Sequence, residues 1–572
     1  MASRHQDLPV ILHNEKRGLL TVEDGRLDVL QLSRDGRPPK QLMTCHLRNF
    51  LSAHLAAPSA KFGETRRLDL HCLRAKGNEL SLTKLHVLVE PINLTEAEEW
   101  VQTVMDAAYD GLKPGKRVLL LVNPVGGKGK AKSIVHNTVV PILQAAGCNV
   151  DLRETKHRLH AEEIVRMIDL VYDVIATASG DGVVYEVING LAARPDGRKA
   201  LQTPIAPIPT GSANSLCINL FGIKDTFNVP FACLNLIKGR PLPIDLCSVL
   251  FAPSMTRRFS FLSTALGLMS ELDIGTEHLR WMGDTRFLVG FLKGITTMKH
   301  LPCRIKMKVV EDDKVEMAKR ARERVRDHVG ARHVGGGKDP LADGLRGLSV
   351  NGHTAPPAGL ANDVTTPLPT TSGPEPLEPG PTEEVDRPAQ NDEPLPAAQL
   401  LQPDTTWVTI ESGSGTAHLK KRSSTQSIQK GAANGETRKA GAWVDGEGVL
   451  YFYAGMMPWI ARDLMQWPVY TSGDGVIDIV VQSVVPRLMM VNAITGAEKG
   501  EAYWLDCQHY YKASAFIVEN LAKANNPVAS IDGEAFEWDS LHVEVLPRTA
   551  NLLSMEGHYV VSDFLKKHDT KK

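Results

Sequence analysis

The sequence predicts an α/β protein: a doubly wound nucleotide-binding domain plus a C-terminal antiparallel β-sandwich, with an N-terminal accessory module and a long disordered insert. Three observations predict this order. Residues 116–250 alternate short apolar runs with stretches of helical period, the rhythm of a parallel sheet wrapped by helices. Beyond about residue 250 the pattern changes to successive strand-like segments. Residues 292–406 contain no Phe, Tyr or Trp, and 12 of the 35 prolines fall within 351–410. Such a stretch cannot bury enough apolar surface to offset its chain entropy.

Residues 1–112 form the first unit. Segments 67–73 and 79–89 have strand character, and a helix follows in which Thr95 and Glu98 have capping-box spacing. Trp100, Val101, Val104, Ala107 and Ala108 then recur at helical period. Strands closed by a helix suit a pleckstrin-homology-like module, or equally a plain accessory domain. Residues 113–250 form the nucleotide-binding unit. Its strands are expected at 118–123, 149–153, 174–177 and 204–208, and its helices at 130–146, 161–170, 183–191 and 212–220. The unbroken apolar run at 118–123 marks a strand buried on both faces. The sandwich takes residues 251–314 and 441–565, with strands at 258–263, 304–310, 449–453, 476–481, 502–506 and 541–546 and an amphipathic helix at 278–298. The insert is 315–440. Its margins are basic, with Lys319, Arg320, Arg322, Arg324 and Arg326 on one side and Lys420, Lys421 and Arg422 on the other. They are solvated arms or a weak attraction to anionic lipid headgroups. Ser423 and Ser424 are candidate phosphorylation sites.

Lys and Arg number 65 and Asp and Glu 66 among 572 residues, a net charge of −1. That balance excludes a globally basic nucleic-acid binder and an acidic tail protein. The first residues lack the apolar core of a signal peptide, and no run approaches the ~20 apolar residues that span a bilayer. Any membrane contact is therefore expected to be peripheral. The eight cysteines are scattered without a C-x-x-C pair, as expected of buried free thiols in a reducing, cytoplasmic compartment. No oligomeric state is encoded in these features.

Three loops carry the chemistry. The first strand runs into Asn123-Pro124-Val125-Gly126-Gly127-Lys128-Gly129-Lys130. Glycines let the backbone approach a polyanion, the following helix offers free N–H groups, and two lysines add charge. The spacing is not that of a Walker P-loop, because Ala131 stands where its second glycine would be. The third strand ends in Ser179-Gly180-Asp181-Gly182, which aims a carboxylate at the crevice. The fourth ends in Pro209-Thr210-Gly211-Ser212-Ala213-Asn214, small residues before a helix. In a doubly wound sheet such loops converge beyond the carboxyl ends of the strands. Ser472-Gly473-Asp474-Gly475 repeats the tetrapeptide, but Val476-Ile477-Asp478-Ile479-Val480 follows with strand character, which predicts a hairpin turn.

At these loops the sequence resembles the lipid kinases that include diacylglycerol, ceramide and sphingosine kinases. NPVGGKGKA, SGDG and TGSAN carry the resemblance in that order. Thr155 with His160-Ala161, the segment from Gly267 to Phe287, and Ile531-Asp532-Gly533-Glu534 resemble the sphingosine (long-chain base) kinase branch. The resemblance covers about 116–310 and 440–565. Ala213 and Gly275 depart from the usual pattern. The resemblance implies ATP and Mg²⁺ as cofactors, a sphingoid long-chain base as substrate, and peripheral contact with membrane lipid.

It also implies roles. Asn123, Gly126, Gly127, Lys128, Gly129, Thr155, Ser179, Gly180, Gly182, Gly211, Ser212, Asn214, Arg280, Arg286, Asp532 and Gly533 would hold the nucleotide. Asp181 is the candidate base for the lipid's primary hydroxyl, and Glu534 the competing acid, as base or as metal support. Asp273 would meet the substrate ammonium, with Glu271 as the alternative on the same face of a strand. Phe287, Leu288, Phe291, Leu292 and Met298 would line an acyl tunnel, lie on a membrane, or pack on the sandwich. The alternatives are a diacylglycerol, ceramide or NAD kinase of the same fold, and a catalytically inactive lipid-binding scaffold.

Overall fold

The computed structural model describes residues 6–13, 15–33, 37–59, 62–76, 79–126, 129–211, 214–276, 285–297, 299–334, 394–412, 448–522 and 528–566. Residues 335–393 and 413–447 of the expected insert, including Lys420, Lys421, Arg422, Ser423 and Ser424, lie outside that set.

The N-terminal unit is a seven-stranded antiparallel sheet. Across the sheet the strands run Lys40–His46, Arg26–Gln31, Arg17–Glu23, Gln6–Ile11, Glu79–Val89, Arg66–Lys76 and Phe50–Leu55. The Leu94–Tyr109 helix buries Ala97, Trp100, Val104, Ala108 and Tyr109. The helix starts one residue before Thr95, after a 3₁₀ turn at Pro91–Asn93, so the expected Thr95/Glu98 capping box does not form. Proline fixes φ for such a tight entry turn, which moves the start upstream.

The nucleotide-type unit has four parallel strands in the order Ile205–Pro209, Val174–Ser179, Arg117–Val122, Asn149–Glu154. The two strands Val174–Ser179 and Ile205–Pro209 are buried at every position, which explains their lack of polar alternation. Helices His160–Met167, Asp181–Ala192, Ser215–Asp225 and Val229–Lys238 complete it. The helix after the first strand passes through a π-turn at Val135–Val139. Pro141, just beyond, has no N–H to give to the preceding turn, and a wider turn accommodates that loss.

The β-rich half is hydrogen-bonded onto this sheet. Strand Ser540–Ser554 pairs antiparallel with Arg240–Ala252 and Gln508–Asn520, and Leu552 meets Ile205 in parallel register. Among the described residues the result is one sheet of 15 strands. Three sequence expectations are corrected here. Residues 502–506 hold a 3₁₀ turn at Glu501–Trp504, not a strand, because Tyr503 packs edge-on against Tyr510 and Trp504. Helix Lys314–Val334 runs from the last expected sandwich residue into the segment expected to be disordered, where Met317, Ala318 and Ala321 are buried. Strand Val408–Ser412 pairs with Cys303–Glu311 and buries Ile410, so backbone pairing replaces the missing aromatic core. All eight cysteines are buried free thiols, as expected.

A buried amine joins the first unit to the second. Lys238 Nζ donates to Leu47 O at 2.9 Å and Ala108 O at 2.8 Å and lies over the Tyr109 ring. Burial pushes its pKa down to about 7. Ser52 Oγ, on the same sheet, donates to Ala145 O at 2.7 Å.

Candidate active site

The carboxyl ends of the four parallel strands are tied into one rim. Asn123 N–H donates to Ala178 O at 3.1 Å, and Thr155 N–H to Val122 O at 2.8 Å. Thr210 and Gly211 N–H groups both donate to Ser179 O. Asn123 also accepts the Val125 and Gly126 N–H groups, through its side chain and its carbonyl, in an Asx-type turn. Gly211 is required by close approach: a Cβ there would stand 2.4 Å from Gly180 N. The two loops therefore touch backbone to backbone, leaving a cradle that side chains would fill. Ser179 Oγ donates to Gly180 O, and Asn214 Nδ2 to Gly211 O, so both polar side chains brace the loops. Gly129 takes a left-handed φ of 70°. Gly127, Lys128, Ser212 and Arg280 lie outside the described residues.

Asp181 opens the Asp181–Ala192 helix and reaches the N-terminus of the next one. Its Oδ2 accepts the Ser215 N–H at 2.7 Å and its Oδ1 the Leu216 N–H at 3.1 Å. These donors stabilise the ionised form, but burial is the larger effect and pushes its pKa up to about 6. Glu534 stands close by: its Oε1 lies 3.8 Å from where a Cβ on Gly182 would be, and its Oε2 accepts from Arg158. Gly182 thus leaves room between two carboxylates.

Asp532 and Gly533 form the tip of a hairpin between Val528–Ile531 and Glu534–Glu537, with φ of 52° and 84°. Two left-handed residues make a type I′ turn, for which Asp-Gly is the favoured pair. The Asp532 carboxylate points inward. It accepts from Ser260 Oγ at 2.6 Å and from the N–H groups of Phe261, Leu262 and Ser263 at 2.8–3.0 Å. This corrects its expected place among the phosphate contacts: it fixes the hairpin that carries Glu534. Burial raises its pKa to about 6 as well.

Asp273 and Glu271 lie on a helix, Leu268–Gly275, and not on a strand. Two residues apart on a helix means about 200° of rotation. They therefore do not share a face: Glu271 is exposed and Asp273 half-buried. Asp273 Oδ2 accepts from Ser530 Oγ at 3.0 Å, and Ser530 is fully buried on the hairpin that ends in Glu534. Ser270 Oγ donates to Val528 O, a second stitch between the same two elements. Arg286 falls within the Thr285–Thr297 helix, where Phe291 packs on the core and Val289 and Leu292 are largely exposed. The side chains of Arg286, Phe287 and Leu288, and all of Met298, lie outside the described set.

The second Ser-Gly-Asp-Gly is a different object. Gly473 and Gly475 have φ of 75° and 76°, and buried Asp245 accepts the Gly475 and Arg548 N–H groups. The turn feeds strand Ile477–Ser483, whose partners are Val449–Gly455 and Gln508–Asn520. The nearest strand before the turn, Leu464–Met465, pairs with Trp459–Ala461 and not with Ile477–Ser483, so the expected hairpin is corrected to a turn entering a strand.

A family model described as the diacylglycerol kinase catalytic domain matches residues 117–249. Sphingoid long chain base kinase 5 of Saccharomyces cerevisiae is 30% identical over 484 residues, 82% of this chain and 64% of that one. The chain is thus similar to diacylglycerol kinases over residues 117–249 and to a sphingoid base kinase over most of its length. Its similarity extends to sphingoid long chain base kinase 4 of Schizosaccharomyces pombe, 25% identical over 82% of this chain and 81% of that one. Human sphingosine kinase 2 is 28% identical over 81% of this chain and 76% of that one. The chain spans 64% of the length of the budding-yeast relative. The close approach of Gly211 to Gly180 leaves a glycine-lined cradle open to a polyanion, with the Glu534 carboxylate beside Gly182. Arg158 and Ser530 are the site residues that sequence reasoning missed. Their partners are 376 and 257 positions away, and no local pattern marks either.

Proposed function

We propose that this lipid kinase transfers the γ-phosphate of ATP to the primary hydroxyl of a sphingosine-type long-chain base, giving the base 1-phosphate and ADP. The observation that carries the reading is the placement of acids: Asp181 and Glu534 beside the phosphate loops, and Asp273 stitched to the same hairpin as Glu534. The names of the yeast and human relatives support the same substrate class.

In this reading the loop backbones at Asn123, Gly126, Gly180 and Gly211 hold the nucleotide phosphates. Asp181 accepts the hydroxyl proton as the oxygen attacks the γ-phosphorus and the bond to the ADP oxygen breaks. Two N–H donors hold its carboxylate in one orientation, and burial brings its basicity toward neutrality, where a general base works best. Glu534 is the carboxylate that would help hold a Mg²⁺ ion, which would supply charge neutralisation. Asp273 meets the substrate ammonium through a charge-assisted contact that a neutral diacylglycerol could not make. The exposed apolar side chains of helix Thr285–Thr297 support peripheral contact with lipid at a cytoplasmic membrane surface. Among the described residues no helix is long and apolar enough to cross a membrane.

The test is a lipid panel with radiolabelled ATP: sphingosine, dihydrosphingosine, ceramide and diacylglycerol, for wild type and Asp273→Asn. Label is expected on the two free bases, with Asp273→Asn raising their KM. Equal labelling of diacylglycerol by the wild type would replace the proposed substrate, and unchanged base kinetics in Asp273→Asn would remove the ammonium contact.

A further inference from the structure

A cluster outside the phosphate loops has chemistry of its own. One donor atom each from His157, His160 and Glu163 lies within 4.8 Å of the others, and the two imidazole rings are 4.7 Å apart. We propose that these three side chains form an open, three-ligand site for a borderline divalent cation of the Zn²⁺ class.

The tautomers support it. His157 Nδ1 lies 2.9 Å from Arg158 O, so its N–H donates there and Nε2 keeps a free lone pair. That Nε2 is 3.8 Å from Glu163 Oε2. A ring N–H fixed by a carbonyl is the usual support of a metal-binding histidine. His160 Nδ1 accepts the Lys156 N–H at 3.0 Å, so this nitrogen also presents a lone pair. A metal there displaces one exposed backbone donor, which water can take. Donors bound tetrahedrally at about 2.1 Å lie about 3.4 Å apart, so donors up to 4.8 Å apart need to close by about 1.4 Å, within reach of side-chain rotation.

The loop is already held for the purpose. Leu159 takes a φ of 66°, which a bulky residue adopts only when its surroundings fix it. Glu186 does so by accepting the Leu159 and Ala161 N–H groups at 3.0 Å each. That carboxylate, with Glu162 in the first turn, also offsets the positive end of the His160–Met167 helix, which would otherwise repel a cation. Two imidazoles and one carboxylate prefer Zn²⁺, Co²⁺ or Cu²⁺ to Mg²⁺, which takes oxygen ligands. The site therefore differs in chemistry from any metal carried on a nucleotide. It lies on the loop whose Arg158 faces Glu534, so occupancy would stiffen that contact.

The test uses the full chain without nucleotide and Co²⁺ as the optical probe. The wild type is expected to bind one Co²⁺ with visible ligand-field bands, displaced by Zn²⁺ and not by excess Mg²⁺. The double variant His157→Ala/His160→Ala should lose the bands, with affinity at least about 10-fold weaker. Glu163→Gln, on an exposed side chain that folding does not need, should weaken binding as well. Zn²⁺ should raise the Tm of the wild type and not that of the double variant, whose circular dichroism reports its folding. Bands retained by the double variant would place the metal elsewhere, for instance on cysteine. Absence of bands in the wild type would overturn the site outright.

Discussion

The same four residues, Ser-Gly-Asp-Gly, occur at 179–182 and 472–475 and do opposite things. The first copy leaves a fully buried parallel strand and starts a helix. Its aspartate is buried and reaches across to a second helix end. The second copy is a turn locked from beneath by Asp245, and its own aspartate, largely buried, pairs with a half-exposed Arg324. The difference lies in what precedes and follows: an apolar run into a helix in one case, and entry to an antiparallel strand in the other. The tetrapeptide supplies tight backbone and a carboxylate, and the flanking elements decide where that carboxylate points.

The largest expected effect breaks the comparison at its centre. Asp181→Asn should lower kcat by about 10²–10⁴-fold, the usual worth of a positioned base. A radiometric assay that finds near-normal turnover would demote the first copy to a structural turn like the second. Next, Asp532→Ala should cost about 3 kcal/mol or more of stability, because four buried donors lose their acceptor. Thermal melts should show this as a lowered Tm, and little change would mean that the hairpin is held by other contacts.

The pH dependence sharpens the contrast further. Burial holds Asp181 up to about 6, above the ordinary carboxylate value, so the base is lost as pH falls through about 6. The rate should then drop about tenfold per pH unit. Stability runs the other way in that window. A raised folded-state pKa means that ionisation costs stability above about 6, and the cost is relieved as pH falls toward the unfolded value. Activity should therefore fall between pH 6 and 4 without an equal loss in Tm from Asp181 and Asp532. A rate that stays flat down to pH 5 would rule out the proposed base. Ser530→Ala should raise the KM for long-chain base by about 5–10-fold with the KM for ATP unchanged, because Asp273 loses a charged hydrogen bond. Equal changes in both KM values would indicate a general loosening of the hairpin. At the small end, Asp474→Asn should leave kcat within about twofold and cost about 1–2 kcal/mol, the scale of a charged hydrogen bond to a largely buried carboxylate.

The strand-end loops are legible because glycine and small residues follow successive strands in order and spacing, and buried parallel strands are unbroken apolar runs. The sandwich strands were mostly legible for the same reason. What failed did so for identifiable causes. Asp273 was placed on a strand because LMSELDIG is short and apolar enough to suit either state, and packing against the hairpin decides for helix. Asp532 stands among the nucleotide residues through the resemblance of Ile531-Asp532-Gly533-Glu534 alone, whereas its four donors come from a segment some 270 positions upstream. Strand Val408–Ser412 was hidden in a segment without aromatics because its stability comes from pairing with Cys303–Glu311. Contacts of this separation leave no trace in local composition.

Lys238 gives the first hundred residues a meaning beyond an appended sheet. Its ammonium sits in an apolar wall and is satisfied by two carbonyls, Leu47 O and Ala108 O, that only those residues supply. A chain shortened past residue 112 would strand a naked cation on the surface of the catalytic layer, and water would have to enter to solvate it. The leading segment is thus a keystone for its neighbour, and the two are expected to melt together.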